Sequence, residues 1–97
     1  MKLYRICTEN KNYPAILDYL DENFPDGYTV IHANGAWQGK REKSLLIEIT
    51  GNETTRFTTV RIPPMSEYIA HLCYWLKKHN DQQAVLVQII EIGQWIQ

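Results

Sequence analysis

Apolar residues alternate with polar ones in some stretches of this chain and recur every three to four positions in others. The switches between the two periods mark six elements. Residues 3–8 (Leu-Tyr-Arg-Ile-Cys-Thr) form a β-prone run, and Glu9-Asn10-Lys11-Asn12 is polar punctuation. Asn12 suits an N-cap and Pro14 the first turn of a helix. Tyr13, Ile16, Leu17, Leu20 and Phe24 then follow helical spacing, and Pro25-Asp26-Gly27 ends the helix. Residues 28–34 and 44–50 read as strands joined by a glycine-punctuated hairpin loop over 35–43. Gly51-Asn52 is a turn, residues 54–62 an extra strand or extended return, and Pro63-Pro64 stops it. Ser66 caps a second helix over 66–80, with Ile69, Leu72, Cys73 and Leu76 on its core stripe. Tyr68, His71, Trp75 and His79 form a second, more aromatic stripe. Residues 84–92 read as a last strand, and 93–97 as a short tail.

The order strand, helix, strand, strand, helix, strand predicts a single α/β domain over 1–97. It is an α+β sandwich of ferredoxin-like βαββαβ type, with an antiparallel sheet of order 4-1-3-2 and both helices on one face. Strand periodicity then assigns the faces. Tyr4, Ile6, Ile31, Ala33, Leu45, Ile47, Ile49, Val85, Val87 and Ile89 are expected under the helices. The other face is expected to gather Leu3, Cys7, Val30, Leu46, Leu86 and Ile90 around Arg5, His32, Glu48 and Gln88. A face this apolar is poorly suited to water. Self-association that buries it is the expected outcome, with Glu48, His32, Gln88, Leu46 and Leu86 in the interface.

Composition narrows the function classes. With 97 residues the core is modest, so oligomerisation would help it. A formal net charge of −1 supplies no field for nucleic acid or an anionic membrane. No apolar run is long enough to span a bilayer, and no signal-peptide pattern opens the chain, so cytoplasmic residence is the default expectation. Cys7 and Cys73 stand apart in apolar patterns and are expected to be reduced.

The candidate chemistry centres on the hairpin. Trp37 is suited to stack on a base or a partner, or to pack over a sheet edge between subunits. Lys40, Arg41 and Lys43 can neutralise a phosphate or form a solvated charge run around Glu42. Arg5 with Glu48 can fix the register of an oligomer or orient a ligand. No nucleophile stands beside a base, so no catalytic residue is expected. His71 and His79 are two helical turns apart, about 12 Å in rise, which excludes a shared metal ion within one helix. Neither a metal nor another cofactor is expected. The Gly35-x-x-x-Gly39-Lys40 spacing does not fit a P-loop, and residues 44–49 lack the paired aromatics of an RNA-recognition strand.

Gly35-Ala36-Trp37-Gln38-Gly39-Lys40, Glu42 and the run Ser44-Leu45-Leu46-Ile47-Glu48-Ile49-Thr50 together resemble the strand-loop-strand of the CutA and P-II signalling superfamily. Asp26-Gly27-Tyr28-Thr29-Val30 and Gln83-Ala84-Val85-Leu86-Val87 are similar to segments of small P-II-like proteins of bacteria and phages. The resemblance implies a trimer with inward-packed sheets and a nucleotide or other small anion held between subunits, beside the loop after the second strand. On that basis Trp37 would stack on the ligand, while Lys40, Arg41, Lys43 and Arg5 would supply charge. The loop lacks the length and the modifiable tyrosine of true P-II proteins, which sets nitrogen signalling aside. The second reading is an interaction protein, a regulator or inhibitor of bacterial or phage origin. It would dock a protein partner through the 35–43 hairpin and the aromatic face of the 66–80 helix.

Overall fold

The computed structural model describes residues 1–51, 64–82 and 84–93, with the backbone alone at Trp37. The expected strand over 54–62 and the end of the tail lie outside the described residues. Among the described residues six elements follow in the anticipated order: β1 (Lys2–Glu9), α1 (Tyr13–Asn23), β2 (Thr29–Trp37), β3 (Lys40–Gly51), α2 (Met65–His79) and β4 (Leu86–Glu91). The strands form one antiparallel sheet of order β2-β3-β1-β4. This is the ferredoxin-like α+β arrangement.

The alternation in β1 and β3 decides where the core lies. Tyr4 and Ile6 of β1 and Leu45, Ile47 and Ile49 of β3 are buried beneath the helices. Helical spacing brings Ile16 and Leu20 of α1, with Phe24 just beyond it, onto the same layer, together with Ile69, Leu72 and Leu76 of α2. Each such side chain, fully buried, contributes about 1.5–3 kcal/mol of transfer free energy. The aromatic stripe of α2 belongs to the rim of this core: Tyr68 meets Phe24 edge-on, and Trp75 lies between Tyr19 and His79 at ring separations of 4.7 and 4.4 Å.

Both helix starts differ from the capping expected. Asn12 is the N-cap of α1, but it sits in the left-handed region at φ 55° and its side chain does not bond the helix. Its amide donates instead to the His79 carbonyl and to Asn80 Oδ1. A short amide tolerates that backbone conformation and can reach the neighbouring chain end, so the residue ties α1 to the C-terminus of α2. In α2 the cap is Pro64, and Ser66 falls inside the first turn. Proline offers no side-chain acceptor to the first-turn N–H groups; its fixed φ suits the approach to a helix, and its carbonyl accepts from the Glu67 N–H at 3.0 Å.

The expected facing of β2 is shifted by one residue. Val30 pairs with Ile47 and His32 with Leu45, which puts both on the helix side, while Ile31 and Ala33 turn to the open face. The reason is the turn. Strands β2 and β3 are joined by only Gln38 and Gly39, both at positive φ (50° and 78°), as two-residue hairpins require. That turn sets every partner back along the ladder. Among the described residues no helix is long and apolar enough to cross a membrane.

Candidate functional site

The face of the sheet opposite the helices is built as cross-strand rows. One row carries Thr29, Glu48, Arg5 and Gln88 side by side on β2, β3, β1 and β4; the next carries Ile31, Leu46, Cys7 and Leu86. Thr50, Leu3 and Ile90 form a third. Leu86 is 60% exposed and Ile31 42%, so apolar side chains meet solvent across the whole width of the sheet.

Arg5 and Glu48 stand at the centre of this face. Nε and Nη2 of Arg5 donate to the same oxygen, Glu48 Oε2, at 3.1 and 2.9 Å. The pair cancels its own charge within the sheet. Nη1 of Arg5 and Oε1 of Glu48 make no bond among the described residues and are available to a second molecule. His32, expected beside them, is on the other face: its ring packs at 4.9 Å from Tyr13 and its Nδ1 lies 3.4 Å from the Asn10 amide.

The expected 35–43 loop is instead a two-stranded arm. β1 ends opposite Ser44, so the pairs from Asn34↔Lys43 to Trp37↔Lys40 have no third strand beside them. Pleating sorts the arm's charges. Lys40 and Glu42 share the open-face side with Gly35 and the Trp37 position; Arg41 and Lys43 project to the opposite side. The three cations therefore do not converge within one chain. Lys40 is eight residues along β3 from Glu48, which holds Arg5, a separation of about 27 Å in an extended strand. The side chain of Trp37 lies outside what is described.

Where β1 outruns β4, the sheet leaves a notch of about 450 Å³. Its lining includes Cys7, Thr8, Glu9, Gly35, Glu42, Ser44, Asp81 and Leu86. A polar network braces it: Thr8 Oγ1 and the Asn80 amide both donate to Gln82 Oε1, and Asn80 in turn accepts from Asn12. Thr8 and Asn80 are almost completely buried. Sequence reasoning missed this feature. The available signals were a threonine on the core parity of β1 and the Asn80-Asp81-Gln82 sequence just after α2. Lys11 pairs with Glu9: its ammonium lies 2.7 Å from that carboxylate, and its pKa is raised by that hydrogen bond and charge, with smaller contributions from Asp81 and Glu42. The described residues contain no group of three His, Cys, Asp or Glu placed to hold a metal ion.

No protein-family profile and no curated protein matches the sequence. Solved structures do match the fold. A DUF3240 family protein from Shewanella baltica OS155 superposes with a TM-score of 0.61 at 18% identity, covering 99% of this chain and 93% of that one. CPII from Thiomonas intermedia K12, a nitrogen regulatory PII-like protein solved with ADP, AMP and bicarbonate bound, superposes at 0.54 and 19% identity, covering 98% and 94%. CutA from Synechococcus elongatus PCC7942 reaches only 0.48 at 12% identity, too loose a likeness to build on. At these identities the similarity is one of architecture: the chain is folded as the ferredoxin-like PII-like proteins are.

Proposed function

We propose that this chain is a non-catalytic, homo-oligomeric ligand-binding protein of the cytoplasm. It associates through the open sheet face and takes a small anion, of nucleotide type, at the junctions between copies. The observation that carries this reading is the Arg5–Glu48 pair. An isolated charge in the middle of an apolar face would oppose burial, whereas a pair already bonded within one chain lets that face be covered at a smaller desolvation cost. Ile31, Leu46, Leu86 and Gln88 surround it and supply the contact surface. Support for the ligand comes from the arm, whose Arg41 and Lys43 share one side and have no ion-pair partner among the described residues. In an assembly the arm of one copy can face the Arg5 Nη1 of another, whereas within a chain Arg41 and Lys43 lie on the opposite side of the sheet from Arg5, about 24 and 17 Å along β3 from Glu48. The fold shared with CPII, which holds ADP, AMP and bicarbonate, supports the same class of ligand.

The docking alternative is weakened at its helix half, because Tyr68 and Trp75 are engaged with Phe24 and Tyr19 in the same chain. Native mass spectrometry of protein released gently from cells tests the proposal. A trimer carrying an adduct of nucleotide size is expected, and Trp37→Ala with Arg41→Ala and Lys43→Ala should lose the adduct while keeping the oligomer. A bare monomer at micromolar concentration refutes the reading.

A further inference from the structure

Asn34-Gly35 is the one asparagine–glycine step in the chain, and it lies on the arm. Asn34 is exposed. Packing fixes the glycine after it: a Cβ at position 35 would come within 2.9 Å of Ser44 Oγ, and Ser44 is almost completely buried. The bonding pattern follows from the turn. Trp37↔Lys40 closes a two-residue hairpin and exchanges both ladder bonds, so by alternation Gly35↔Glu42 does the same, while Asn34↔Lys43 is a pair without them. The Asn10 N–H donating to the Lys43 carbonyl on the other edge of β3 agrees with that count. Asn34 therefore faces Lys43 at the shorter cross-strand spacing, about 4.5 Å between Cα atoms. The other described asparagines are held differently. Asn10, Asn12, Asn23 and Asn80 are each followed by a residue with a side chain, and the amide of each has a hydrogen-bond partner.

We propose that Asn34 is a self-modifying site, whose deamidation switches the charge of the arm. The Gly35 main-chain nitrogen attacks Asn34 Cγ and a C–N bond forms. The proton of that nitrogen passes through solvent to the side-chain amide, which leaves as ammonia. Water then cleaves the resulting imide at either carbonyl. Its hydroxyl joins the carbonyl carbon, its hydrogen returns to the nitrogen, and the acid formed is aspartate or isoaspartate. Glycine favours the attack because no Cβ hinders the approach. In the closed arm the ladder bond to Glu42 and the extended backbone keep that nitrogen away from Cγ, so the step belongs to the opened arm. Opening there is local, since no third strand flanks the pairs from Asn34 to Trp37. The aspartate product stands opposite Lys43, on the side that carries Arg41, and pairs with a cation of the proposed anion site. The isoaspartate product adds a methylene to the main chain and breaks the register of the pairs between it and the turn. Either form weakens anion binding; that consequence, unlike the reaction itself, rests on the anion reading above.

The test is to age the purified full-length protein at mildly alkaline pH and physiological temperature, followed by intact mass and peptide mapping. Asn34 is expected to exchange amide for acid ahead of every other asparagine, with isoaspartate detected by enzymatic methylation, and Asn34→Gln should remove the gain. A disulfide joining Ala36→Cys to Arg41→Cys, across the next pair without ladder bonds, locks the arm. It should slow the reaction by about tenfold or more, and a reductant should restore the rate. Asn34→Asp should bind ADP about two- to fivefold more weakly than the parent, the share of one exposed ion pair. An Asn34 that converts no faster than the other asparagines overturns the proposal, as does a locked arm that reacts at the parent's rate. Equal ADP affinity in the parent and in Asn34→Asp overturns the switch. A parent that binds no ADP overturns the switch together with the anion reading, while the mass record alone still decides the amide chemistry.

Discussion

Replacing Glu48 by lysine separates the open sheet face as an interface from the open sheet face as a solvated surface. Within one chain the change removes a pair whose side chains are 36% and 21% exposed and sets two like charges opposite each other. Water still reaches both, so the isolated chain should lose about 1–2 kcal/mol, a small shift in a urea midpoint. In an assembly that covers this face, the same two cations would be buried without a counterion. Breaking a buried pair costs about 3–5 kcal/mol per interface, which lowers each association constant by about two to four orders of magnitude. Light scattering across a dilution series, with native mass spectrometry, reads that difference directly. Glu48→Gln should show an intermediate loss, and the exchanged pair Arg5→Glu with Glu48→Arg should restore assembly. A mass unchanged by Glu48→Lys at every concentration would refute the reasoning, because a covered face cannot accommodate two unpaired cations.

Leu45→Ala deletes a fully buried side chain at the centre of the sheet and should cost about 2–5 kcal/mol in urea unfolding. Asn80→Ala breaks the tie between Asn12 and Gln82 and should cost about 1–3 kcal/mol, with faster amide exchange at the C-terminal turn of α2 and at Thr8. Burial raises the Cys73 thiol's pKa, against a smaller opposite effect of Lys77. The folded chain thus keeps a proton that the unfolded chain releases. This contribution to stability is complete below the ordinary thiol value of about 8.5 and is lost as pH rises towards the raised folded value. Urea midpoints measured from neutral to mildly alkaline pH should fall less steeply for Cys73→Ala than for the parent; equal slopes would contradict the assignment.

The elements and their order were legible because β1, β3, α1 and α2 each repeat one apolar period without ambiguity. The facing of β2 was not, and the cause is local. Val30 and Ile31 are adjacent and equally apolar, so alternation alone cannot choose between them. The information lay at the other end of the strand: Gln38-Gly39 as a two-residue turn, counted outward, places Val30 opposite Ile47. Reading residues 35–43 as a loop discarded that count. The same misreading grouped Lys40, Arg41 and Lys43 as one cationic cluster, which a pleated arm divides between two sides. The Arg5–Glu48 pair was legible because both residues lie on unambiguous strands. The notch was not, because it joins β1, the arm and the turn after α2, and no sequence period links those three.

The strand order has a consequence for how the chain is made. Trp37 meets Lys40 across a turn of two residues, so β2 and β3 can pair as soon as they emerge from the ribosome. β1 is synthesised before β4 but sits between β3 and β4, and its second edge stays open until β4, the last of the described elements, is released. An unfinished molecule therefore exposes a strand edge of Leu3, Arg5 and Cys7 with its backbone groups unpaired. The β4 of a neighbouring nascent chain carries the matching sequence. Polysomes that crowd such chains together favour exchange of that strand between molecules, and slow translation through the last elements lengthens the interval in which it can occur.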